Sequence, residues 1–140
     1  MLKSLTRLSL VAVIPAALAS CALEDEAVTG SDRYHVESTP TELVAEGVID
    51  RDEEHLFVFE PPAGATIMSV RLQGDGDADL STQLAEEPTL ESFACRPYVD
   101  GTDEECEHFD GRALYVKVRG WAPVSSYRLA IKVEGISTSP

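Results

Sequence analysis

Cys95, Cys106 and His108 lie within one short stretch, ESFACRPYVDGTDEECEH (residues 91–108), and are of the types that build metal sites, redox pairs and disulfides. A structural zinc site takes about four nitrogen or sulfur ligands. The stretch has no CxxC spacing and no evident fourth ligand, whereas a redox pair would separate its cysteines by two residues. A disulfide needs only two cysteines and an oxidising compartment. Cys95 and Cys106 are therefore expected to be bonded, closing a loop of about a dozen residues worth on the order of 3 kcal/mol.

The compartment is read from the N-terminus. In MLKSLTRLSLVAVIPAALASC, Lys3 and Arg7 precede an apolar run from Leu8 to Leu18, and small residues lead to Cys21. This is the pattern of an export signal, too short to span a bilayer, and residues 1–20 are set aside from the fold. Leu18-Ala19-Ser20-Cys21 resembles the bacterial lipobox, so Cys21 is the expected lipidation site; the alternative is a plain secretory signal that happens to end in a cysteine. Several acyl chains on one residue anchor durably, at roughly 0.8 kcal/mol per buried methylene. Ala22 in place of an Asp implies passage to the outer membrane, so the expected location is the bacterial cell envelope.

The full sequence has a formal charge of −14. Cleavage removes two of its 11 basic residues and none of its 25 acids, leaving nine against 25, a formal −16. Such a chain does not suit nucleic acid or flat adsorption on an anionic bilayer, so the membrane is expected as a partner only through the lipid.

The elements that must position these residues follow from periodicity. Residues 21–41 are polar and acidic and read as a flexible tether. From Glu42, short alternating segments recur: 42–49, 55–60, 66–73, 78–85, 91–96, 105–109, 112–120 and 125–133. Eight such segments separated by turn residues predict an all-β, jelly-roll-like antiparallel β-sandwich over 42–135, with a tail at 136–140. The period-2 pattern points Met68, Val70 and Leu72, then Leu80, Thr82 and Leu84, then Leu114, Val116 and Val118, then Tyr127, Leu129, Ile131 and Val133 inward.

Three motifs in order carry a family resemblance over about residues 44–134. They are GDGDADLSTQL, FACRPYVDGTDEEC and GRALYVKVRGWAPVSSYRLAIKV. Gly76, Asp77, Asp79 and Leu80, then Cys95, Arg96, Pro97, Tyr98, Glu104 and Cys106, then Gly111, Leu114, Tyr115, Val116, Tyr127 and Leu129 stand where they recur in the bacterial pre-peptidase C-terminal domain. The chain resembles that domain, a small jelly-roll sandwich appended to many secreted proteases. No peptidase is read ahead of this copy, so the resemblance implies the fold and not a secretion or propeptide role.

For catalysis the sequence lacks GxSxG and HExxH, and His35, His55 and His108 are lone histidines of the kind that usually lie at a surface, so no enzyme activity is expected. No cofactor is expected either, calcium being the only weak candidate. Asp75, Asp77 and Asp79 alternate as calcium ligands can, with Glu86 at the twelfth place, but Leu80 stands where an EF-hand loop needs Gly. Asp50 and Asp52, with Glu53 and Glu54, form a second acidic cluster. Related collagen-binding domains use acids near such a connection for calcium together with an N-terminal acidic-Asn segment, which STPTELVAE lacks. Solvated turns capped by Asp side chains are the simpler expectation.

What remains is display of a binding surface for a protein or polysaccharide ligand, with accessory or inhibitory docking on a secreted peptidase, or a plain envelope spacer, as alternatives. Residues 111–134 hold Arg112, Lys117, Arg119, Arg128 and Lys132 against Glu134 alone. If the last two strands share a sheet, Lys117, Arg119, Arg128 and Lys132 form a basic patch beside Tyr115 and Trp121, either a docking face or one neutralised by neighbouring acids. A first prediction concerns the anchor: Cys21→Ala should shift the protein from the detergent phase to the aqueous phase of a detergent partition, and an unchanged distribution would refute lipidation.

Overall fold

The computed structural model describes residues 33–138. Among them eight strands form two antiparallel sheets: β1 Tyr34–Thr39, β2 Glu42–Asp50, β3 Glu54–Phe59, β4 Ala65–Asp75, β5 Ala78–Leu84, β6 Glu104–His108, β7 Leu114–Gly120 and β8 Val124–Ile136. One sheet has the order β1-β2-β8-β4-β6 and the other β3-β7-β5. The all-β sandwich expected from periodicity is the fold observed.

The inward faces are those the alternation assigns. Met68, Leu72, Leu80, Leu114, Val116, Val118, Leu129 and Ile131 are fully buried, joined by Leu43, Ala45, Ile49, Phe57 and Phe59. Each large side chain removed from water contributes about 1.5–3 kcal/mol, and the two inner faces supply one continuous core.

Two segments differ from expectation. Residues 34–39, assigned to the tether, form β1, which pairs with β2 from Tyr34 opposite Gly47 to Thr39 opposite Glu42. Its side chains are exposed except for Tyr34 and so show no apolar alternation; pairing with β2 makes it a strand. Residues 91–96, expected as a strand, instead lie in the long 85–103 connection. A single bridge joins Cys95 to Thr82, with Thr82 N donating to Cys95 O at 2.9 Å and Ala94 N to Thr82 O at 2.7 Å. Pro88 and Pro97 lack the N–H groups a longer ladder needs, and Tyr98 has φ 63°.

β5 and β6 are edge strands of opposite sheets, and side chains of β6 and its approach close the gap between them. Thr102 Oγ1 accepts from Ala78 N at 3.1 Å, and Glu104 Oε2 accepts from Leu80 N at 2.5 Å. Glu104 Oε1 accepts from Val99 N at 3.2 Å, and the His108 Nε2 atom is hydrogen-bonded to Thr82 Oγ1 at 2.8 Å. Between them Cys106 is bonded to Cys95, with Cα atoms 6.0 Å apart. The other outer strand of the small sheet, β3, ends at Pro61-Pro62 and leaves Leu56 and Val58 partly exposed.

Burial raises the Glu104 carboxyl above its ordinary 4.5, against the lowering effect of the Leu80 and Val99 amides. The folded state then holds a proton that the unfolded chain has released. That contribution to stability is complete below pH 4.5 and is lost as pH rises through the raised value. Glu104→Gln leaves one buried amide without its acceptor and should cost about 1–3 kcal/mol in denaturant melts, with the larger cost below pH 4.5. A cost that grows with pH would contradict this assignment. Reduction of Cys95–Cys106 should separately lower stability by about 2–4 kcal/mol, and free thiols in protein purified from an oxidising compartment would exclude the bond.

Candidate ligand-binding groove

The outer face of the small sheet is built by register. Glu54 lies opposite Arg119, Leu56 opposite Lys117 and Val58 opposite Tyr115 across β3 and β7. On the other side Asp79 faces Arg119, Ser81 faces Lys117 and Gln83 faces Tyr115. Tyr115, Lys117 and Arg119 thus share one outward stripe, as alternation predicts.

The expected basic patch does not assemble. β7 and β8 lie in different sheets, so Arg128 and Lys132 occupy the outer face of the opposite sheet, where Arg128 meets Glu46 at 3.4 Å and Lys132 lies opposite Glu42. The crossover is made at Gly120, where an added Cβ would strike the Asp50 carbonyl, and continues through Trp121, whose backbone N–H donates to Asp77 O at 2.8 Å. The two cations left on the small sheet are engaged by acids. Lys117 Nζ sits 2.8 Å from Glu87 and 3.4 Å from Glu54. Burial works against its charge, but Glu87 and Glu54 outweigh it and hold the ammonium above its ordinary pKa. Arg119 donates to Glu54 at 2.9 Å and Asp52 at 3.0 Å, and its guanidinium lies 4.8 Å from the centre of the Trp121 ring.

The 85–103 connection supplies the opposite wall. Its Arg96 guanidinium lies 4.4 Å from the Tyr98 ring centre and 5.8 Å from that of Phe93. Among the described residues no carboxylate reaches Arg96 within ion-pair distance. A cavity of about 540 Å³ runs between the walls, lined by Asp79, Leu90, Arg96, Lys117, Arg119 and Trp121. A recess of about 350 Å³ adjoins it, sharing Asp79 and Trp121 and adding Tyr98. Burial, then the charge of Asp77, raises the Asp79 carboxyl, while a hydrogen bond from Trp121 and the charges of Arg96 and Arg119 oppose the shift.

The other sequence candidates are placed as follows. Asp50 pairs with Arg33 at 2.9 Å, Asp52 with Arg119, and Asp77 accepts from Gly101 N at 3.2 Å, while Asp75 is exposed. Among the described residues no three His, Cys, Asp or Glu side chains are grouped as metal ligands. Cys21 lies outside the described residues. His35 is exposed, but His55 and His108 are buried, contrary to the surface position expected of them. His55 is hydrogen-bonded through Nδ1 to Tyr127 Oη at 2.7 Å and through Nε2 to Glu53 at 3.0 Å, so the apolar sequence around it hides a satisfied polar pair. The Asp50 backbone N–H, ahead of His55 and Arg33, holds the Glu53 carboxyl below its usual range despite burial, and burial raises the Tyr127 hydroxyl. Phe93, Leu90 and the cavity-lining position of Arg96 were not legible as a site. The signal available is an arginine flanked by aromatics at 93 and 98 beside a bonded cysteine.

No family model matches the chain. The Neutral protease of Vibrio proteolyticus is 31% identical over 75 residues, a segment covering 52% of this chain and 12% of that protease. The match is to a small part of that protease's length. The chain resembles a pre-peptidase C-terminal domain. Among solved structures, the pre-peptidase C-terminal domain of Bacillus anthracis collagenase is 14% identical with a TM-score of 0.48, covering 64% of this chain and 87% of that one. The fold is shared with Aeromonas hydrophila PliG, a periplasmic inhibitor of g-type lysozyme, at 13% identity and a TM-score of 0.54, covering 67% of this chain and 87% of that one. Because the matched segment spans so little of the protease, that protein's activity is not carried over to this chain.

Proposed function

We propose that this is an exported, lipid-anchored, non-catalytic module that binds a polysaccharide of the cell envelope or its surroundings in the groove beneath Trp121. The observation that carries the reading is how Trp121 is held. Arg119 stacks on the indole and is itself fixed by Asp52 and Glu54, Asp79 lines the same cavity beside the ring, and yet 39% of the residue remains exposed over that cavity. A rigid aromatic plate with polar groups at its rim suits the apolar face of a sugar ring and its hydroxyls. A cavity of this size lies within the roughly 300–1,000 Å³ of ordinary ligand sites. The Cys95–Cys106 disulfide supports an oxidising compartment, and the match to one small segment of a protease supports an accessory role over a catalytic one.

Trp121 is the sole tryptophan, so its emission reports on the groove directly. Titration with soluble oligosaccharides, neutral chito-oligosaccharide and acidic hyaluronan hexasaccharide among them, should quench or shift that emission. Trp121→Ala should weaken binding at least about tenfold by calorimetry, about 1.4 kcal/mol. Binding untouched by Trp121→Ala, or no response to any oligosaccharide, would reject the groove. Docking on a peptidase would instead appear as co-elution with that enzyme independent of Trp121.

A further inference from the structure

Resting on the groove reading, we infer that Arg96 is the anion receptor of the site and that the ligand is a glycan carrying isolated carboxylates, with one ring stacked on Trp121 and a ring carboxylate on the Arg96 guanidinium. The expected basic residues cannot fill this role. Lys117 is held between Glu54 and Glu87, and both terminal nitrogens of Arg119 donate to acids of the same face. Arg96 differs in how it is fixed. Two aromatic rings at 4.4 and 5.8 Å orient its plane, and no described carboxylate pairs with it, so its N–H donors are available where it lines the cavity. The backbone beneath it is fixed as well, since the preceding Cys95 is bonded to Cys106 and bridged to Thr82. A planar guanidinium oriented by stacking matches a carboxylate through two parallel N–H···O bonds.

The density of charge on the ligand follows from the other lining groups. Glu54, Asp79 and Glu91 line the same cavity, Glu54 already being paired with Lys117 and Arg119, so one unpaired cation stands beside the two carboxylates of Asp79 and Glu91. A single carboxylate meets Arg96 and clears the acids, whereas a densely sulfated chain brings further negative charge against them. The geometry therefore favours carboxylates on alternate rings or sparser.

The test uses the soluble protein with Trp121 emission and calorimetry. Hyaluronan hexasaccharide, which carries a carboxylate on alternate rings, should bind at least about tenfold tighter than its carboxyl methyl ester. Arg96→Ala should remove that difference, and Arg96→Lys, which keeps the charge but loses the planar fork, should recover only part of it. Lys132→Ala, on the opposite sheet, should leave binding unchanged. Equal affinity for acid and ester, or unaltered discrimination in Arg96→Ala, overturns the anion receptor while leaving the groove intact. Tighter binding of heparin than of hyaluronan overturns the preference for isolated carboxylates. Failure of acidic and neutral probes alike, or binding indifferent to Trp121→Ala, overturns the groove and this inference together.

Discussion

A sandwich whose two sheets end at facing edge strands has an accounting problem, because edge amides that reach no water and no partner cost about as much as the bonds they lack. Here the small sheet ends at β5, and its amides at Ala78 and Leu80 are met by side chains of Thr102 and Glu104. His108 reaches across to Thr82 in the same row. The inward row of β6 therefore acts as a substitute for a backbone ladder. A carboxylate is retained between the sheets because its two oxygens satisfy two amides, Leu80 and Val99, from different segments.

That seam also decides what the outer face of the small sheet can do. The 85–103 connection has almost no ladder of its own, and it is located by the Cys95–Thr82 bridge, the Cys95–Cys106 bond and the Val99–Glu104 hydrogen bond. Arg96 and Tyr98 sit between those fastenings. The wall opposite Trp121 is thus held by the same contacts that close the sandwich, and the position of a surface arginine depends on a buried glutamate.

Alternation was enough to read the core, since each of β4, β5, β7 and β8 buries one face and exposes the other. It could not reveal β1, whose residues face water on nearly every side chain, nor could it reject residues 91–96, whose mixed pattern lies between Pro88 and Pro97. The cysteine pairing was legible because, with Cys21 set aside, two thiols leave one simple solution. The basic patch was misplaced for a topological reason. β7 and β8 are consecutive and both amphipathic, but the chain changes sheets at Gly120, and local sequence holds no record of which partner each strand takes. Arg96 was legible only as part of a family motif, because its freedom from acid partners is a property of the folded surface.

Among the described residues β3 leaves one backbone edge of the small sheet uncovered by another strand, and its HLFVF run is apolar and rich in strand-forming residues. Such an edge is a template for joining a second copy. Glu54 at its start and Glu60 with Pro61-Pro62 at its end bracket the run with like charge and with residues that cannot extend a ladder. The chain's strongly acidic composition adds general repulsion between molecules. The residues flanking that run, together with the overall charge, oppose edge-to-edge joining of two copies.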